Sequence, residues 1–228
     1  MDAILFDLFG TLVPNLPPQR WKAAYFQIAG VLEVDAERFT HEWNALFEHR
    51  MIGTYRDVAD QMRAALSAFG ANASDTAISK AASMKRTFLL EALAPKVDAL
   101  HCLEELRARG FKLALVTDCS WETPEILNDT PLGVYFTVRA ASAHVGVRKP
   151  HAKMYEHALT GLNVDPRRCL YVGDGNSEEL VGAKRHGMTT VWVDNGERQY
   201  FKDGWKPEGD HAVTDLRDVV KIVENRRG

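Results

Sequence analysis

The chain has 228 residues, with 28 Lys and Arg against 31 Asp and Glu and a formal charge of −3. That balance argues against a polyanion-binding protein, because nucleic-acid binders carry net positive charge, and 46% apolar with 26% charged residues excludes a largely disordered chain. Divided by the ~150 residues of an ordinary domain, the length gives about one and a half domains.

Residues 3–6 (Ala-Ile-Leu-Phe) form a short apolar run, predicted as a strand buried on both faces. No basic stretch precedes it, so it does not read as a secretory signal and a cytoplasmic protein is expected. No apolar run approaches the ~18 residues of a membrane helix. From residue 16 to residue 93 the pattern is helical: Phe39, Trp43, Leu46, Phe47 and Met51 share one helix face, as do Val58, Met62, Leu66 and Phe69. Asp35 and Ser74 stand at N-cap positions, while Gly53 and residues 70–72 punctuate. A bundle of about four helices with its aromatics packed inside is expected.

From residue 94 onward the grammar changes. Residues 113–116, 169–172 and 189–193 are predicted strands; 98–109, 151–159 and 178–186 are predicted helices. Gly110 and Gly187 sit where helices end, and Asp165-Pro166 reads as a helix start. Residues 195–211 read as a loop, followed by a short element at 212–213 and a helix from 216 to about 223. Strands alternating with helices predict a parallel sheet with right-handed crossovers, to which the first strand also belongs. The fold class is therefore α/β, a Rossmann-like parallel-sheet core (residues 1–15 and 94–228) with an inserted helical-bundle cap (residues 16–93).

The three cysteines, Cys102, Cys119 and Cys169, are scattered, which fits a reducing compartment better than a disulfide framework. Cys119 beside a strand exit reads either as a nucleophile or as a small buried thiol; a catalytic cysteine needs a basic partner, which favours the thiol. The histidines lack ligand spacing, so zinc is not expected. Gly173-Asp174-Gly175 begins like a dinucleotide fingerprint, but Glu178 stands where its third glycine belongs.

Open parallel sheets bind ligands at the carboxyl ends of their strands. The predicted exits carry Asp7, Thr117-Asp118 and Gly173-Asp174, and a later loop carries Lys149-Pro150. A carboxylate such as Asp7 can attack an anionic centre and form a covalent ester, provided a cation offsets the like charge. Asp7 and Asp174, with a backbone carbonyl and waters, suit Mg²⁺. Lys149 would neutralise the nucleophile and the transferred oxygens, with Thr117 and backbone N–H groups holding the non-bridging oxygens. The set implies a small anionic substrate, with neither nucleic acid nor membrane as a partner, and leaves the oligomeric state open.

Four ordered motifs now stand together: Ile4-Leu5-Phe6-Asp7-Leu8-Phe9-Gly10-Thr11-Leu12, Leu115-Val116-Thr117-Asp118, Arg148-Lys149-Pro150, and Val172-Gly173-Asp174 with Glu179, Gly182-Ala183 and Gly187-Met188. The sequence resembles the haloacid dehalogenase-like (HAD) hydrolase superfamily over nearly its whole length, with residues 16–93 in place of that family's helical cap. The resemblance implies Asp7 as nucleophile, Thr117 and Lys149 as residues that bind and orient the transferred group, and Mg²⁺ held by Asp7, Asp174 and the backbone carbonyl of Phe9. Glu179 takes the place of the last motif's second acid, an outer partner of the metal. The activity implied is that of a phosphohydrolase acting on a small phosphorylated metabolite.

Two departures qualify that implication. Phe9 stands where the family's phosphatases carry a second Asp, which protonates the leaving group; loss of a general acid typically costs ~10²–10⁴-fold. The 2-haloacid dehalogenases tolerate an aromatic there and share Asn176, but their metal-free sites have Ser in place of Asp174. Their cap arginine, which takes up the leaving halide, falls near Asn44 here; Arg38 and Arg50 read either as substitutes for it or, in preference, as surface helix arginines. Lys22 is the nearest candidate for the Schiff-base lysine of another branch. Asp118, where many relatives have Asn, reads either as a metal-site acid or, in preference, as a solvated residue or a cap for a helix starting near Glu122; Trp121 reads as pocket or packing. A carbon-centred hydrolase and a non-catalytic HAD-fold binding protein remain the alternatives.

Overall fold

The computed structural model describes residues 1–196 and 207–225. Among the described residues, six parallel strands form one sheet with the order β3-β2-β1-β4-β5-β6. The strands are β1 (Ala3–Phe6), β2 (Lys112–Thr117), β3 (Val138–Ala141), β4 (Cys169–Gly173), β5 (Thr189–Val193) and β6 (His211–Val213). β1 lies between β2 and β4, with Ile4 opposite both Leu113 and Leu170, and all four of its residues are buried. The chain fills the sheet outward from β1 in both directions, so a crevice is left beside β1 at the carboxyl edge.

Period-two alternation explains why these runs are apolar throughout. Ile4 and Phe6 join a core completed by Leu103 and Leu106 of α6 (Val97–Ala108) and by Val219 and Val223 of α11 (Arg217–Glu224). Ala3 and Leu5 face the opposite layer, with Met154 and Ala158 of α9 (Ala152–Leu162) and Leu180 and Ala183 of α10 (Glu179–Arg185). Helices thus cover both faces. Gly110 and Gly187 follow α6 and α10 at φ of +81° and +84°, as their positions predicted.

Residues 18–92 carry five helices where about four were expected: α1 (Pro18–Leu32), α2 (Ala36–Ala45), α3 (Phe47–Met51), α4 (Val58–Ala68) and α5 (Asp75–Ala92). They enclose a core of their own, built on Tyr25, Ile28, Phe39, Trp43, Met62 and Leu66. The predicted caps are in place: Asp35 accepts from Arg38 N at 2.8 Å and Ser74 from Ala77 N at 3.2 Å. The extra helix arises because α2 ends at Ala45 and the chain starts again at Phe47, turning Arg50 and Met51 inward.

Three local details add to the expectations. The edge strand β3 was not foreseen, since Val-Arg-Ala-Ala lacks an apolar run; among the described residues it pairs only with β2. Asp165-Pro166 opens a short 3₁₀ helix, Pro166–Arg168, with Asp165 as the expected N-cap accepting from Arg167 N at 3.0 Å. Only short helical turns follow Glu122, α7 (Thr123–Ile126) and a 3₁₀ turn, Leu127–Asp129. Residues 197–206, most of the expected loop, lie outside the described residues. Among the described residues no helix is long and apolar enough to cross a membrane.

Candidate active site

The ends of β1, β2 and β4 bring the sequence-predicted residues into one crevice. Asp7 follows β1, anchored by its N–H donating to Val172 O at 2.9 Å. Lys149 enters from the loop between α8 (Ser142–Val145) and α9 and donates from Nζ to Asp7 Oδ1 at 2.5 Å and to Glu179 Oε2 at 2.5 Å. Burial opposes the lysine's charge, but the Asp7 and Glu179 carboxylates outweigh it and hold its pKa well above the ordinary lysine value.

Asp174, just past β4, is held from several sides. Asn176 donates its backbone N–H to Oδ1 at 2.9 Å and Nδ2 to Oδ2 at 2.7 Å, and Asn15 Nδ2 reaches Oδ2 at 3.3 Å. Gly10 lies so close that a Cβ there would fall 2.0 Å from Asp174 Oδ2, and its φ of +81° favours glycine independently. Burial, then the charge of Asp7, raises the Asp174 pKa to about 6. Glu179, fully buried, accepts from Tyr171 Oη at 2.9 Å and from Gly175 N at 2.9 Å. Burial and the nearby Asp7 push its pKa well up.

Two observations bear on whether this site suits a divalent cation and an anion. Asp7, Asp174 and Glu179 offer carboxylate oxygens that all lie within 4.8 Å of one another, an oxygen-only donor set with Lys149 as its paired cation. Thr117 Oγ1, at the end of β2, is buried with no hydrogen-bond partner. A buried hydroxyl without a partner is unfavourable unless a ligand completes it. The residues therefore fit Mg²⁺ together with an oxyanion.

Asp118 does not cap a helix, and it is largely buried where solvation had been preferred. Its Oδ1 accepts from Lys149 N at 3.0 Å and its Oδ2 from Arg148 Nε at 3.2 Å and Ser177 Oγ at 3.1 Å, so it anchors the loop that carries the lysine. Arg148 also pairs with Glu48, joining that loop to the helical block. Cys119 is buried and its thiol is pushed up to about 12, which leaves the small-thiol reading. Trp121 packs against His144, their ring centroids 4.3 Å apart.

A cavity of about 810 Å³ lies between the strand exits and the helical block, lined among others by Phe9, Asn15, Trp21, Asn44, Arg50 and Ser120. Arg50 is only 4% exposed, so its reading as a surface arginine is overturned. Arg38 is exposed as expected, and Lys22, at the cavity margin, pairs with Glu37 at 2.9 Å. Tyr171 and Asn15 are contributors that the sequence did not single out. Tyr171 left one signal: a hydroxyl in an otherwise apolar buried strand needs a polar partner.

A family model described as haloacid dehalogenase-like hydrolase matches residues 1–187. A glyceraldehyde 3-phosphate phosphatase of Pyrococcus abyssi is 34% identical over 134 residues, which cover 57% of this chain but only 55% of that relative's length. A glyceraldehyde 3-phosphate phosphatase of Methanocaldococcus jannaschii is 26% identical over 99% of this chain and 98% of its own. The solved 2-haloacid dehalogenase of Pseudomonas syringae pv. tomato shares the fold, with a TM-score of 0.71 at 22% identity and 99% of each chain covered. The chain belongs to the haloacid dehalogenase-like hydrolase family.

Proposed function

We propose that the protein is a Mg²⁺-dependent phosphohydrolase that uses Asp7 as nucleophile on a small phosphorylated metabolite. The observation that carries this reading is the pairing of Asp7 with Lys149 beside the unpartnered Thr117 hydroxyl. Asp7 forms a bond from its carboxylate oxygen to phosphorus while the ester P–O bond breaks and its electron pair leaves with the alcohol oxygen. Water then hydrolyses the aspartyl phosphate, returning the carboxylate and releasing phosphate. Lys149 offsets charge on the nucleophile and the transferred oxygens, and the Thr117 hydroxyl donates to one of them. Asp7, Asp174 and the Phe9 carbonyl would hold Mg²⁺, with Glu179 beside them; when bound, the ion neutralises phosphoryl charge. The phosphatase names of the curated relatives support the same class.

Phe9 supplies no proton to the leaving oxygen, so esters of acidic alcohols turn over fastest. The helices α1–α5 serve as a cap that excludes bulk water from the crevice. A second reading, carbon–halogen hydrolysis by the same Asp7, draws support from Phe9 and from Asn176 against Asp174. A panel of aryl phosphates, acyl phosphates and 2-haloacids, assayed with Mg²⁺ and with EDTA, separates the two. Phosphate release abolished by EDTA and by Asp7→Asn is the expected result; halide release indifferent to EDTA would overturn the proposal in favour of dehalogenation. Turnover of nothing, with Mg²⁺ bound, would leave a binding protein.

A further inference from the structure

We propose that Arg50 is the receptor for a carboxylate on the leaving group, so that the substrates are phosphate esters whose organic part is an apolar body ending in a carboxylate. This rests on the phosphohydrolase reading. Two buried basic side chains lie close together in the helical block, and only one has a carboxylate partner. Lys85 pairs with Glu122, which also accepts from Gln61 Nε2 at 3.2 Å and Ser120 Oγ at 2.8 Å. Arg50 faces the indole of Trp43 at 4.4 Å and the phenol of Tyr25, and donates from Nη2 to Trp43 O at 3.2 Å. Among the described residues no carboxylate pairs with it, and its Nε has no partner at all. A guanidinium stays charged in proteins, so this is an uncompensated buried charge.

The two residues that carry these unmet groups border one cavity. Arg50 and Thr40 both line it, and the Thr40 hydroxyl is likewise buried without a partner. The lining is mainly apolar, with Leu16, Trp21, Met51 and Leu89 beside the polar Asn44 and Ser120, and it reaches Phe9 and Asn15, the latter bonded to Asp174. A ligand with its phosphate at Asp7 would thus pass its organic body across apolar walls. A planar guanidinium with an open Nε suits a bidentate carboxylate. The single uncompensated charge matches a monoanion better than a second phosphate, which carries nearly two charges at neutral pH.

The test compares 4-(carboxymethyl)phenyl phosphate with its methyl ester and with an analogue bearing a distal phosphate, using the Mg²⁺-loaded full chain. The acid is expected to show a kcat/KM roughly 30-fold or more above the methyl ester. Arg50→Met erases that ratio, and Arg50→Lys, which keeps the charge without the fork, retains part of it. Independently of turnover, 4-hydroxyphenylacetate binds to wild type and to Asp7→Asn by calorimetry. Equal turnover of acid and methyl ester, with no binding of 4-hydroxyphenylacetate, overturns the Arg50 assignment and leaves the phosphohydrolase standing. Binding without phosphate release from any ester keeps the pocket and overturns the phosphohydrolase. Preference for the distal phosphate overturns the carboxylate.

Discussion

Lys149 meets Asp7 at 2.5 Å across 142 residues of sequence, and both side chains are almost fully buried. The same ammonium holds Glu179, so one cation serves two carboxylates. Removing it leaves buried charges unpaired, which costs ~3–5 kcal/mol. Lys149→Met is therefore expected to lower the stability by that order and to reduce phosphate release by ~10²–10³-fold. Urea denaturation and steady-state kinetics on one preparation check both.

Asp174 links metal binding to pH. Its pKa is raised from 3.8 to about 6 by burial and then by Asp7. A carboxyl with a raised native pKa binds its proton more tightly when folded, so its contribution to stability is present below about 4 and lost as pH rises through about 6. The metal-free protein should therefore lose thermal stability across that window. Mg²⁺ should restore more at pH 7 than at pH 5, because protons compete with the ion below the raised pKa. Asp174→Asn should abolish the Mg²⁺-dependent shift. Melting curves with Mg²⁺ and with EDTA provide the measurement.

Phe9 is half-buried against the main core and lines the cavity, so it can be exchanged without opening the sheet. Phe9→Asp should raise turnover of alkyl phosphates by ~10²-fold and that of aryl phosphates much less, since only the former need a proton on the leaving oxygen. An unchanged alkyl-to-aryl ratio in a folded variant would remove the account of the missing acid.

Asp118 positions Lys149 through the backbone, which separates shape from charge. Asp118→Asn keeps an acceptor for Lys149 N and should retain most activity; Asp118→Ala releases the loop and should cost up to ~10²-fold. Glu48→Ala breaks only the exposed arm of the Arg148 bridge and should change stability by ~0–1 kcal/mol. Comparing kcat and KM across the three variants tests this.

All three thiols are buried, and burial raises each pKa, to about 12 for Cys119 and Cys169. At pH 8 a thiol of that pKa is ionised in about one molecule in 10⁴. Iodoacetamide should leave the native protein unmodified and label three cysteines after unfolding, as read by intact mass.

The central strand was legible because Ala3 to Phe6 and its neighbours are apolar on both faces, and their register reproduces that reading. The caps at Asp35 and Ser74 were legible because capping is local chemistry. Edge strand β3 was not, since a strand covered by one neighbour needs no apolar run and its Val-Arg-Ala-Ala carries none.

By itself, the sequence determined the sheet, the inserted helices and the set of polar residues at the strand exits, because periodicity and strand-end position are properties of neighbouring residues. Only the tertiary structure decided which of those groups meet. It gave Lys149 two carboxylates, made Asp118 an anchor for the lysine's loop and left the Thr117 hydroxyl without a partner. It also turned Arg50 from an expected surface residue into a buried charge facing a cavity. Burial and charge pairing are sums over distant segments, and no local pattern in the chain records them.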